Sequence, residues 1–352
     1  MSDDLDTGID NNRQLMSKHR KPPTMADIAR ITGVSPMTVS RAFKADSLIN
    51  KETREAILQA AEDLGYVFDS TASNLRSQKS DFVAVTIPSI NNANFADTVG
   101  GLSETLATRR MQILLGYTNY DMQEEERLIE QLLRRKPQAI VVTGGKHTDR
   151  ARRLLENAPI PVIETWDVPA KPIGHYIGFS NAAAVREMVD HFVKVGYRRI
   201  AFIGGDVGRD TRGSDRRVGF VDAMKTHGLD TTRLIAAGPP PISMREGANA
   251  MARLLQEFPD TEAVICVSDL SAFGALTECQ RRNIAVPSRI AIGGFGDYEI
   301  GSISVPTLTT INARSRDIGQ YTGQLILDIL DDKLETDHVL IKPELIVRES
   351  SK

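Results

Sequence analysis

A repeated alternation constrains this chain more than any other feature: short apolar runs rich in β-branched residues take turns with segments of helical periodicity. FVAVTI, MQILLGY, AIVVTG and PVIET form one series, with helical spacing between them at Phe95, Val99, Leu102 and Leu106 and again at Leu128, Ile129, Leu132 and Leu133. HYIGF, RIAFIGG, AVICVS and IAIGGF form a second series, separated by helical patterns over 181–195, 216–227, 244–257 and 270–283. Strands joined through helices lie parallel, so the pattern predicts parallel sheets covered by helices on both faces. Two series predict two lobes, and ligands in such pairs bind at the carboxyl ends of the strands, in the cleft. A chain of 352 residues, 41% of them hydrophobic, has material for more than one core.

The region ahead of the alternation is different. Residues 1–22 hold almost nothing that could pack and read as a disordered tail closed by Pro22-Pro23. From 23 to 68 the pattern is purely helical, in three short segments, and residues 69–80 (DSTASNLRSQKS) are polar and small, as in a linker or hinge. Residues 81–352 then form the α/β body. A formal net charge of -3 gives no overall nucleic-acid signature. Locally the balance reverses: Lys18, Arg20, Lys21, Arg30, Arg41 and Lys44 face the single acid Asp27 over the stretch they span.

The segment TMADIARITGVSPMTVSRAF lies within that basic stretch. Thr24 is placed to cap a first helix with an apolar face of Met25, Ile28, Ala29 and Ile31, and Gly33 supplies a tight turn. Ser35 caps a second helix with Pro36 at its first position, where a missing N–H costs nothing. Val39 and Ala42 face inward, which leaves Met37, Thr38, Ser40 and Arg41 outside. Arginine can pair with guanine O6 and N7 and hydroxyls can bond phosphates, so this exposed side suits a major groove.

GVSPMTVSRAF, then NKETREAILQAAEDLGY, then Ala72 to Leu75 as AxxL, resembles the LacI family of repressors, and the resemblance runs over essentially the whole chain from Thr24 onward. It implies an α/β protein with an all-α helix-turn-helix headpiece and a two-lobed body similar to periplasmic binding proteins, built on parallel sheets. One lobe is expected at about 81–176 with 312–338, the other at about 177–311 with 339–352. The resemblance further implies that Pro36, Met37 and Arg41 face base edges, whereas Thr24, Ser35, Thr38, Ser40, Asn50, Thr53 and Tyr66 touch the DNA backbone. Met37 and Pro36 have little to offer a base by hydrogen bonding, so that task falls on Arg41. Leu75 matches the family's wedge into the minor groove, with Ala72 small enough for two hinge helices to approach; such wedging costs roughly a few kcal/mol of unstacking. Family members usually have Pro-Asn before the hinge, and Phe68-Asp69 stands here.

In the body, Arg216 precedes Gly219 by three in RRVGF, the position of the family's effector-binding arginine, with Arg217 as a surface neighbour. Ser89, Phe95, Trp166, Ile242, Ser268 and Asp269 match other cleft positions, though Asp269 could instead cap a helix and Phe95 could be core. Many sugar-binding members carry Asp-Asp after the strand matching IAIGGF, and this chain has Gly296-Asp297. Loss of that carboxylate, with Arg216 kept and Lys146 in the GGKHT segment, favours an anionic ligand. VTGGKHT, IPVIETWD and GGFGDYEIG look most like the repressors of gluconate utilisation within the family, so the expected effector is gluconate or a related sugar acid, acting as inducer or as corepressor.

The remaining residues narrow the alternatives. The histidines are scattered, neither a GxSxG turn nor a P-loop occurs, and the pairs Gly144-Gly145, Gly204-Gly205 and Gly293-Gly294 lack dinucleotide-site spacing, so no enzyme is expected. Cys266 and Cys279 have no metal-ligand spacing and read as buried thiols; no metal or cofactor is expected. The polar, acidic N-terminus lacks an export signal and no run approaches a membrane span, which points to a cytoplasmic protein without a membrane partner and opposes a periplasmic binding protein. No leucine-heptad tail follows Ser351, so a homodimer on a pseudo-palindromic double-stranded operator is expected.

Overall fold

Helices α1 (Met25–Thr32), α2 (Pro36–Ala42) and α3 (Lys51–Leu64) surround a small core in which Ile28, Val39, Ala42 and Ile57 are fully buried. These elements come from a computed structural model that describes residues 22–43, 48–68, 80–206, 208–333 and 336–352. The hinge residues Ala72 and Leu75, with Asp69, lie outside the described residues, as do Lys18, Arg20, Lys21 and Lys44. The chain divides into two compact units, residues 1–78 and 79–352.

Local chemistry explains the first unit. Thr24 and Asp27 form a reciprocal capping box on α1, and Gly33 ends the helix at a φ of 68°, where a side chain would be strained. Arg54 Nε donates to the Ala42 carbonyl at 3.0 Å and ties α3 to the end of α2.

The second unit is built on two parallel sheets. The larger runs β11-β5-β4-β3-β1-β2, from β1 (Phe82–Ile87), β2 (Gln112–Tyr117), β3 (Ile140–Thr143), β4 (Val162–Thr165), β5 (His175–Gly178) and β11 (His338–Leu340). Side-chain alternation divides its two faces. Val83, Val85 and Ile87 meet α4 (Ala93–Ala107) and α12 (Ser315–Leu330), and Ala84 with Ile140 and Val142 meets α5 (Met122–Arg134) and α6 (Asp149–Glu156). The smaller sheet runs β7-β6-β8-β9, from β6 (Ile200–Ile203), β7 (Leu234–Ile235), β8 (Ala263–Cys266) and β9 (Ala291–Gly293). Helices α7 (Asn181–Val195), α8 (Thr211–Thr226), α9 (Met244–Glu257) and α10 (Asp269–Arg281) belong to this second lobe. An antiparallel ribbon of β10 (Thr310–Asn312) and β12 (Glu344–Ile346) completes it, and the short helix α11 (Glu299–Ile303) packs on α10.

Two expectations need correction. HYIGF does not open the second series: β5 pairs with β4 in the larger sheet, Ile163 opposite His175, so the crossing between lobes falls after Gly178. The return to the second lobe does not fall at 338/339 either; β11 continues the larger sheet through Leu340, and β12 returns in the other lobe. A short apolar run announces a strand, whereas register and neighbours decide its sheet.

Among the described residues no helix is long and apolar enough to cross a membrane, and no group of acidic, histidine or cysteine side chains could hold a metal ion. Cys266 and Cys279 are buried and unpaired, and burial pushes both thiols well above the usual range.

Candidate functional site

The outer face of α2 is assembled by its own caps. Ser35 Oγ accepts from Thr38 N at 3.2 Å and lies 2.9 Å from Thr38 Oγ1, so the two hydroxyls lock the first turn, while Pro36 occupies its first position. Buried Val39 and Ala42 turn the opposite side outward, leaving Met37 57% exposed and Arg41 exposed, its side chain in no hydrogen bond or ion pair among the described residues. Ser40 is half-buried on the rim of this face. Asn50 caps α3 by accepting from Glu52 N at 2.9 Å, and Thr53 sits half-buried in its first turn. Tyr66 packs against Phe43, whose ring stacks on Phe68 at 4.8 Å. Thr24, Ser35 and Asn50 thus each sit at a helix N-terminus, where free backbone N–H groups and the helix dipole favour an anion such as phosphate.

In the second unit a cavity of about 190 Å³ lies between the lobes, at the carboxyl ends of the strands. It brings together Ser89, Phe95, Trp166, Arg216, Ile242 and Ser268 from the sequence expectation. Ser89 follows β1 and accepts from Asn91 N at 3.2 Å. Trp166 follows β4 in a left-handed conformation, φ 70°, a strain of about 1–3 kcal/mol that persists only where surroundings impose it. Its indole N–H donates to Thr98 Oγ1 at 3.2 Å, its carbonyl accepts from Asn181 Nδ2 at 3.1 Å, and its ring meets Phe95 edge-on at 5.3 Å. Ser268 caps α10, leaving its side chain at the cavity wall.

Arg216 is held on three sides. Its Nε donates to Asn181 Oδ1 at 2.9 Å, its Nη1 donates to the Val267 carbonyl at 2.9 Å, and its guanidinium lies 3.5 Å over the Phe295 ring. Desolvated cation–π contacts of this kind contribute about 2 kcal/mol. Burial lowers its pKa to about 10, the charge of Asp210 opposing and that of Arg212 reinforcing the shift, so it stays charged at neutral pH. Nη2 has no protein partner among the described residues, and the residue's remaining free surface faces the cavity it lines.

Lys146 and Asp269 are not where they were expected. Lys146 Nζ is paired with Asp215 at 2.8 Å and lies outside this cavity, because the β3–α6 loop directs it across the lobes at the rim. Asp269 is fully buried beneath the wall, accepting from Tyr298 N at 2.8 Å and from Thr310 Oγ1 at 2.6 Å. Burial raises its carboxyl to about 6, and its role is to pin the loop after β9. That loop also accounts for the missing carboxylate: a Cβ at Gly296 would stand 2.5 Å from the Tyr298 ring and 2.8 Å from Asn94 Nδ2. Asp297 is turned away into a pair with Arg348 at 2.6 Å. Arg217, read as a surface neighbour, is half-buried and donates to the Gly204 carbonyl at 3.0 Å.

Sequence reasoning missed Asn92, Tyr120, Asp210, Arg212 and Tyr298, which also line the cavity. Asn92 caps α4 and accepts from the Tyr298 hydroxyl at 2.6 Å, joining the lobes. Burial pushes both tyrosine hydroxyls upward, so they remain protonated donors. Asp210 caps α8, and Arg212 stands four residues before Arg216, on the same helix face. That spacing was the one available signal.

Residues 24–69 match the family model of bacterial regulatory proteins, lacI family, and residues 189–351 match that of the periplasmic binding protein-like domain. The HTH-type transcriptional regulator GntR of Pseudomonas aeruginosa is 33% identical over 94% of this chain and 96% of its own. The HTH-type transcriptional regulator IdnR of Escherichia coli is 34% identical, over 89% and 92% respectively. A LacI-family transcriptional regulator from Silicibacter pomeroyi, of known structure, superposes with a TM-score of 0.87 at 30% identity, covering 94% of this chain and 100% of that one. A capped helix-turn-helix unit followed by a two-lobed body, similar along nearly its full length to such regulators, places this chain in the LacI family of DNA-binding transcriptional regulators, which are not enzymes.

Proposed function

We propose that the protein represses transcription as a homodimer on a pseudo-palindromic operator and releases it when a small sugar acid, gluconate or a close derivative, occupies the interlobe cavity. One observation carries the ligand class. Where a carboxylate would hold a neutral sugar stands Gly296, its side-chain space filled by Tyr298 and Asn94, while Arg216 lines the cavity with its Nη2 unpaired among the described residues. An acid group gains a charge-assisted hydrogen bond there, and the asparagine and hydroxyl groups around it suit a polyol chain. The names GntR and IdnR borne by two relatives agree with the resemblance to gluconate-utilisation repressors.

On DNA, Arg41 reads a base edge, Met37 and Pro36 add apolar contact, and Thr24, Ser35, Thr38, Ser40, Asn50, Thr53 and Tyr66 meet the backbone, with Ala72 and Leu75 serving the hinge. A gel-shift titration of the protein on its own promoter fragment tests the whole reading: gluconate should dissolve the complex. A complex that forms yet ignores gluconate and related acids would refute the effector assignment, and no salt-sensitive complex at all would refute the repressor.

A further inference from the structure

The second guanidinium of the cavity has no evident structural purpose. Arg212 is only 6% exposed, yet no carboxylate pairs with it among the described residues. Its one hydrogen bond there runs from Nη1 to the Thr143 carbonyl of the opposite lobe, at a long 3.3 Å. Its other neighbours include the Phe95 ring, 5.7 Å from Cζ, Gly144, where a Cβ would stand 2.8 Å from Nη1, and the buried Asp167, which feels the charge of Arg212 without forming an ion pair with it. A buried cation with so little compensation is costly unless an anion joins it. Arg216 stands one helical turn away on the same face, and the two positive charges repel. Against these two cations the lining supplies one carboxylate, Asp210, already engaged in capping α8 at 3.0 Å from Gly213 N.

Resting on the sugar-acid reading above, we infer that Arg212 is the residue that selects an anion over a neutral sugar, holding the acid group together with Arg216, and that Asp210 limits the ligand to a single negative charge. With a monoanion bound, the two guanidiniums of the lining face two carboxylates, that of Asp210 and that of the ligand, and Asp167 adds negative charge beside Arg212. A phosphorylated acid would bring surplus negative charge into a desolvated space and set it against Asp210. Because Arg212 rises from the second lobe and reaches a carbonyl of the first, an anion on it also favours the closed arrangement.

Calorimetry on the full-length protein with gluconate, sorbitol and 6-phosphogluconate tests this. The wild type should bind gluconate at least tenfold more tightly than either of the others. Arg212→Gln should lose at least tenfold for gluconate while sorbitol binding changes little, so the preference for the acid collapses. Asp210→Asn, which keeps a good helix cap, should narrow the gap between gluconate and 6-phosphogluconate at least fivefold. A wild type that binds none of the acids would overturn the sugar-acid reading itself. A wild type that binds gluconate, with Arg212→Gln keeping the preference over sorbitol, would overturn this inference alone. If circular dichroism shows Arg212→Gln unfolded, Arg212→Lys carries the test: charge without the planar fork should weaken gluconate at least threefold yet preserve the preference, and unchanged affinity would overturn the assignment.

Discussion

On the proposed function, Arg41 and Arg216 separate the two activities at single side chains. The Arg41 side chain is exposed and has no partner among the described residues, so Arg41→Ala should cost operator affinity about 1–3 kcal/mol, roughly tenfold or more, and leave the calorimetric response to gluconate unchanged. Equal affinity for operator and scrambled duplex in the wild type would remove the basis for that expectation. Arg216→Ala should do the converse, weakening gluconate by at least thirtyfold, since truncating one side of a desolvated charge pair costs about 2–5 kcal/mol. It also leaves Asn181 Oδ1 and the Val267 carbonyl without their donor, so a lowered melting temperature should accompany the loss. Gluconate affinity within twofold of wild type would show the site to be misassigned. The place of Arg216 at the cavity was legible because its motif is local. Lys146 misled because charge and proximity to a strand end do not reveal where a loop points, and here Asp215 claims it.

Elements are held together by features the periodicity only half discloses. The close approach of α7 and α8 depends on Gly219, where a Cβ would stand 2.4 Å from the Ala182 carbonyl oxygen. Gly219→Ala should therefore destabilise the body by about 1–3 kcal/mol, read as a drop in denaturant midpoint with the headpiece unaffected. A second junction joins α5, β4 and the loop after β3 through buried His147. Its Nδ1 lies 2.9 Å from Glu125, and Glu164 stands 3.6 Å from its Nε2. Burial pushes its pKa down, but the two carboxylates outweigh that and raise it to about 9. A group whose pKa rises on folding stabilises fully below its unfolded value near 6.5, and that contribution, on the order of 3 kcal/mol, fades as pH climbs through 9. Thermal melts of wild type and His147→Gln should accordingly differ most at pH 6 and converge above pH 9. A constant gap across that range would mean the imidazole is neutral in the fold. Neither the glycine contact nor this triad could be read from the chain, because their partners are distant in sequence.

For the molecule as a whole, switching is linkage: an effector weakens operator binding only by the ratio of its affinities for the two conformational states. A hundredfold rise in operator dissociation constant at saturating gluconate corresponds to about 2.7 kcal/mol per site and should appear reciprocally as weaker gluconate binding to the operator complex. Independent binding of the two ligands would leave the cavity without a regulatory role. Fold class, the helix-turn-helix and the existence of two parallel α/β lobes were determined by sequence alone, since caps, turns and hydrophobic period act between residues a few positions apart. Only the tertiary structure decided that β5 joins the larger sheet, that Asp269 supports a loop from beneath, and that Arg212 and Tyr298 enter the cavity. Those outcomes depend on strand register and on contacts across the cleft, where residues far apart in the chain compete for the same space, and no local pattern encodes which of them wins.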